Sequence, residues 1–150
     1  MKKFLVAAVA LGLAGVVAGC GEDSVFTREY NAWGTGSFPV ANDGQAALYI
    51  VRDAKAVGAP PIEITVGRQS LVNLEAPNYV RLDLDPKLYD LRAYGPQKNK
   101  ELVVTVAPGQ TRFLLAQLTP DGGAELLELS QEQGRRLVRR GERVYTPTID

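Results

Sequence analysis

The chain has no histidine, a single cysteine, a single methionine and a single tryptophan. These shortages exclude whole classes of chemistry. A His/Cys zinc site cannot be assembled within one chain. A Ser-His-Asp or Cys-His nucleophilic centre lacks its base. One cysteine allows no intramolecular disulfide. Neither charge is in excess, since seventeen Lys and Arg face seventeen Asp and Glu across 150 residues. Long-range electrostatics therefore gives no reason to expect nucleic-acid binding.

What is present begins with an address. Met1-Lys2-Lys3 is a short cationic region, and the 16 residues from Phe4 to Gly19 contain only Ala, Val, Leu, Phe and Gly. Small residues then lead to Cys20, the order of a secretory signal. The apolar stretch is short for a membrane span, which needs about 20 residues. Its glycines Gly12, Gly15 and Gly19 each weaken a helix interior by about 1 kcal/mol. An uncleaved N-terminal membrane helix is the alternative.

Val17-Ala18-Gly19-Cys20 resembles a bacterial lipobox. The resemblance implies cleavage before Cys20, lipidation of its thiol and acylation of the new amino group. The signal segment would then be residues 1–19. Two or more acyl chains give stable anchoring, at about 0.8 kcal/mol per buried methylene. By analogy with diderm lipoproteins, Gly21 in place of Asp implies delivery to the outer membrane, with the protein on its periplasmic face. The mature chain would carry fifteen bases against seventeen acids.

Residues 20–44 read as the lipidated N-terminus and a tether, rich in Gly, Ser, Asn, Asp and Thr. Phe26, Tyr30, Trp33 and Phe38 interrupt it, more aromatics than a wholly disordered linker carries. Two readings stay open: part of the segment lies on the domain as a strap, or Tyr30 and Trp33 form a docking patch for a partner or the bilayer interface.

Residues 45–150 read as one domain. Eight β-like runs follow one another: 46–52, 62–66, 71–74, 79–84, 88–94, 102–106, 111–118 and 124–129. Several alternate strictly, as in Tyr79, Arg81 and Asp83 against Val80, Leu82 and Leu84. Polar or glycine-containing turns separate them, among them Gly67 to Ser70, Pro108-Gly109 and Asp121-Gly122-Gly123. The pattern predicts an all-β fold, an antiparallel β-sandwich of seven or eight short strands, prealbumin- or Ig-like. Helical crossovers are missing between the runs, so a doubly wound α/β sheet is not expected.

One helix is predicted near the end, over about 131–140. Ser130 and Gln133 have the spacing of a capping box, and Gly141 suits a C-terminal stop. On a helical wheel Arg135, Arg136, Arg139 and Arg140 share an outward arc, and Gly134, Leu137 and Val138 fall opposite. Glu132 is placed to pair with Arg136 at i,i+4. Residues 131–150 hold five bases and three acids, whereas 20–130 hold ten bases and fourteen acids. The arginine stripe is either a solvated face complementing the helix dipole or a contact surface for anionic headgroups or a partner's carboxylates.

Five stretches together look familiar: Ala47 to Arg52, Ile64 to Gly67, Asn78 to Leu82, Leu84-Asp85-Pro86 with Tyr89 to Ala93, and Val106 to Thr111 with Phe113-Leu114. Their order resembles bacterial lipoproteins carrying the domain of unknown function 2846, over roughly residues 45–140. The family usually places Gly after the proline at position 86, where Lys87 stands here. The resemblance implies a small β-sandwich and export. It supplies no substrate, activity or catalytic residue.

Motifs for chemistry are few. Gly34-Thr35-Gly36-Ser37 lacks the Lys and following helix of a phosphate loop. Asp83 and Asp85 share a strand face and are the only candidates for paired carboxylates, but an Asp before Pro86 is ordinary turn chemistry. No catalytic residue, metal site or cofactor is expected. The expectation is a non-enzymatic envelope lipoprotein, anchored at Cys20, that binds an envelope protein or component. Its candidate interaction residues are Arg135, Arg136, Arg139, Arg140, Tyr30 and Trp33. A structural or chaperone-like subunit using sheet edges and a carboxylate-only hydrolase are the alternatives.

Overall fold

A computed structural model describes residues 38–149. The expected signal segment, Cys20, Phe26, Tyr30 and Trp33 lie outside the described residues. The alternating runs become β1 (Ala46–Val51), β2 (Ile62–Val66), β3 (Gln69–Leu74), β4 (Tyr79–Leu84), β5 (Leu88–Tyr94), β6 (Asn99–Thr105), β7 (Thr111–Leu118) and β8 (Ala124–Leu129). One α-helix, α1 (Gln131–Val138), follows them. The strands form two four-stranded sheets, ordered β4-β1-β7-β8 and β3-β2-β5-β6. The chain is thus a β-sandwich with a short C-terminal helix.

The sandwich is not wholly antiparallel. β1 runs parallel to β7, pairing Ala47 with Thr111 through to Val51 with Leu115. Side-chain alternation decides which face a residue takes but not which way its neighbour runs. Two strands also begin earlier than their apolar runs. Gln69 and Ser70 belong to β3, which reduces the turn to Gly67-Arg68, and Asn99, Lys100 and Glu101 belong to β6. Both are edge strands, whose outward positions tolerate polar residues.

Leu48 and Ile50 of β1, Val80 and Leu82 of β4, and Leu114 of β7 face Ile62, Ile64, Leu74 and Leu91 across the sandwich in one buried cluster. On the other side of the first sheet, Ala47, Tyr49, Val51, Tyr79 and Phe113 form a second cluster with Val138 of α1. Hence all six residues of β1 are buried, as expected for a strand covered on both faces.

Turns and edges keep the sheets in register. Ala107-Pro108-Gly109-Gln110 closes with a 3.1 Å bond from the Gln110 amide to the Ala107 carbonyl. Gly109 has φ of 71°, the positive value a type II turn needs at that position. In the β7–β8 hairpin the turn centres on Pro120-Asp121 rather than Asp121-Gly122. The Gly122 amide bonds the Thr119 carbonyl at 3.0 Å, and Gly122 itself takes φ of 77°. Where β6 meets β8, Lys98 pairs with Asp121 at 2.9 Å and Lys100 with Glu125 at 2.7 Å. The Thr119 hydroxyl and Lys98 hold the Asp121 carboxyl well below the usual carboxylate range. Lys100 and Gln117 lower Glu125, and Glu125 raises Lys100 in return. At the opposite edge the C-terminal segment joins β4 through the Tyr79–Arg143 bridge, and its Ile149 packs on the main core.

Arg52, just beyond β1, is only 2% exposed. One of its terminal nitrogens donates to the Pro60 carbonyl at 2.7 Å and to the Leu74 carbonyl at 3.2 Å. Desolvation lowers its pKa, and the charge of Glu75 opposes that shift. The guanidinium thereby ties the end of β1 to the loop before β2 and to the end of β3.

Candidate functional site

The helix that carries the arginines is set by its cap and by one glycine. The Ser130 hydroxyl accepts from the Gln133 amide at 3.2 Å, and the Gln133 side chain accepts from the Ser130 amide at 3.2 Å. This is the expected capping box. Gly134 sits against Phe113, so closely that a Cβ there would overlap Cγ, Cβ and Cδ1 of that residue. Val138 is buried beside them and Leu137 is half-buried. Sequence periodicity therefore assigns the buried face of α1 correctly.

The helix ends at Val138, short of the expected 140. Arg139 is its C-cap, and the Arg140 and Gly141 amides bond Leu137 and Val138 carbonyls at 3.0 and 3.2 Å in a tighter i to i+3 turn. Such bonds satisfy the last carbonyls without a left-handed residue. Gly141 is not among the glycines with positive φ; its lack of a side chain instead admits the Pro77 carbonyl. The expected Glu132–Arg136 ion pair does not form among the described residues.

Arg135, Arg136, Arg139 and Arg140 are all exposed. With Gln131 and Glu132 they line a shallow groove along the outer side of α1. No described residue forms an ion pair with any of the four. The like charges of Arg135 and Arg139, one turn apart, oppose helix formation by a few tenths of a kcal/mol. The C-terminal end of the helix dipole offsets part of this repulsion.

Beside the helix lies the only described part of the expected tether. Phe38 packs edge-on against Tyr49 and Phe113, with ring centroids 5.2 and 5.5 Å apart. The Arg135 guanidinium covers the same ring at 5.4 Å. On the far side Arg81 of β4 donates to the Val40 carbonyl at 3.0 Å, pairs with Asp83 at 2.9 Å and lies 5.7 Å over the Tyr49 ring. Ala41 packs on the same cluster. Residues 38–41 thus form a strap on the outer face of the first sheet, held between an arginine of β4 and an arginine of α1. The strap reading of the aromatic tether holds for Phe38. Phe38 thus packs on the domain seven residues before its expected start at 45.

The carboxylate candidates occupy a different place. Asp83 and Asp85 line a pocket of about 270 Å³ with Gln45, Lys87, Tyr89 and Thr148. The structure does bring them together, but each already has a partner. Asp83 is held by Arg81, and Asp85 accepts from the Gln45 side chain at 3.3 Å. Tyr89 donates its hydroxyl to the Asp85 carbonyl at 3.0 Å, a corner that fixes where the chain passes from one sheet to the other. Burial raises the Tyr89 pKa, and the charge of Asp85 adds to that shift. Among the described residues no three His, Cys, Asp or Glu side chains gather as a metal site would require.

No family model matches the chain, and no curated protein matches it. Sequence reasoning missed the roles of two arginines: Arg81, which holds the strap on this face, and Arg52, which bonds the Pro60 and Leu74 carbonyls on the side of the other sheet. Both lie in β-like runs, where an arginine reads as solvent-facing. A full alternation count marks Arg81 as lying on the Tyr79 face, which is the face the strap covers.

Proposed function

We propose that the chain is an exported lipoprotein, held to a membrane through a lipidated Cys20. Its sandwich serves as a non-enzymatic binding module of the cell envelope, delivered to the outer membrane. The observation that carries this reading is the position of the only cysteine, directly after Val-Ala-Gly at the end of the apolar N-terminal stretch. The seating of Phe38 and Ala41 supports it, because the anchor then leads into the sandwich through a fixed strap.

The test is Cys20→Ala in a host with the lipoprotein pathway. The parent protein should fractionate with membranes and yield an acylated N-terminal peptide, and the variant should become soluble. Unchanged fractionation together with an unacylated peptide would sink the anchoring claim.

A second reading, a structural or chaperone-like subunit of an envelope assembly, is favoured by β3. Gln69–Leu74 is an edge strand with no acidic or basic residue, whereas edges are ordinarily blunted with charge. An uncharged edge suits strand addition by a partner. A stoichiometric partner recovered by cross-linking from membranes would select this reading.

A further inference from the structure

The arginine face of α1 and the strap lie together, and this proximity bears on orientation. Building on the anchoring reading above, we infer that the arginine face of α1 rests on anionic phospholipid headgroups of the bilayer to which Cys20 is attached. Three observations carry the inference.

The first is attachment. Phe38, 18 residues after Cys20, packs on the sandwich with its ring under the Arg135 guanidinium at 5.4 Å. The 18 residues from Cys20 to Phe38 extend to at most about 60 Å. An anchored domain is therefore confined near the bilayer, with its point of attachment beside α1. Confinement supplies a high effective concentration, so a weak surface interaction suffices to set orientation.

The second is charge. Arg135, Arg136, Arg139 and Arg140 are exposed and without ion-pair partners among the described residues. Residues 38–130 carry nine bases against eleven acids. An anionic surface attracts the first group and weakly repels the body as a whole. Of the possible orientations, the one with α1 downward gains the attraction and holds the acidic body away.

The third is ligand chemistry. The guanidinium fork matches a phosphate and is weakly hydrated, so it suits a headgroup layer. Each base near an anionic surface strengthens binding about fivefold, and four together by several hundredfold. Part of this is screened at physiological salt, where the Debye length is about 8 Å.

The experiment uses the purified full-length lipoprotein, reconstituted in vesicles of phosphatidylcholine alone or with one-third phosphatidylglycerol. Phenylglyoxal labels accessible arginines, and peptide mass spectrometry reads the rate at each site. Arg68, exposed in the β2–β3 turn, is the internal reference. Labelling of Arg135 through Arg140 should fall at least fivefold relative to Arg68 on the phosphatidylglycerol vesicles only, and recover in high salt. Equal labelling on the two lipids, with the acyl mass present on Cys20, overturns the inference and leaves the anchoring reading standing. A chain without the acyl mass overturns the anchoring reading, and sedimentation of that chain with the same vesicles still decides whether the arginines bind phosphatidylglycerol. Protection in native membranes but not in these vesicles overturns the lipid assignment in favour of an acidic protein partner.

Discussion

Replacing Gly134 by Ala sets two elementary effects against each other. Inside an exposed helix the change stabilises by about 1 kcal/mol, because Ala loses less backbone entropy on folding than Gly. Here the added methyl would enter the side chain of Phe113, which is fully buried. Overpacking a close-packed site costs about 1–3 kcal/mol. If α1 lifts to relieve it, Val138 loses part of a burial worth about 1.5–3 kcal/mol. The packing effects exceed the propensity gain, and the expected net change is about 2 kcal/mol of destabilisation. For a domain of about a hundred residues that lowers Tm by roughly 8–16 °C, read by thermal denaturation followed by circular dichroism. In a Phe113→Leu background the same substitution should cost less than about 1 kcal/mol, since the ring that it strikes is gone. Arg136→Ala, on the solvent side of the same helix, should stay within about 0.5 kcal/mol. A Tm that rises with Gly134→Ala would refute the seating of α1 on Phe113.

Two further outcomes follow from buried and surface charge. Arg52→Ala should destabilise by about 3–5 kcal/mol, because it leaves the Pro60 and Leu74 carbonyls without their donor and opens a void. Arg52→Lys, which keeps one donor, should cost less, and equal urea midpoints for Arg52→Ala and the parent would contradict the role given to the guanidinium. The Asp121 carboxyl, ordinarily near 3.8, lies lower in the folded protein because of Thr119 and Lys98. Its contribution to stability is therefore complete above about pH 5 and is lost as pH falls through the depressed value. Glu125 acts in the same direction. The urea midpoint should fall on acidification below about pH 4, and more shallowly in Asp121→Asn; an identical acid profile in that variant would remove Asp121 from the account.

Much of the sandwich can be read from side-chain pattern because a strand covered on one face must alternate. β2, β4, β5, β7 and β8 occupy the residues their runs mark out. The pattern is silent where exposure is symmetrical. Asn99, Lys100 and Glu101 are all exposed on the β6 edge, so nothing in their polarity distinguishes strand from loop. It is also silent about direction, which is why the parallel pairing of β1 with β7 comes only from the structure. Of the candidate site, the arginine arc and its buried counterface follow from helical periodicity alone. The strap does not, since residues 38–41 have no period and their position depends on aromatic rings far away in the chain. Arg52 defeats sequence reading for another reason. Its burial is tolerated only because two backbone carbonyls, one from the loop before β2 and one from the end of β3, converge on it, and that convergence is a product of the fold.

The central place of β1 has a consequence in time. Among the described residues it is the first strand in chain order, yet its partners β4 and β7 come much later. Until Thr111 to Leu115 arrive, β1 lacks one neighbour, and the helix that covers its outer face is later still. Topologies dominated by such distant pairings fold slowly. The second sheet, whose four strands all precede β7, can close before the first sheet does.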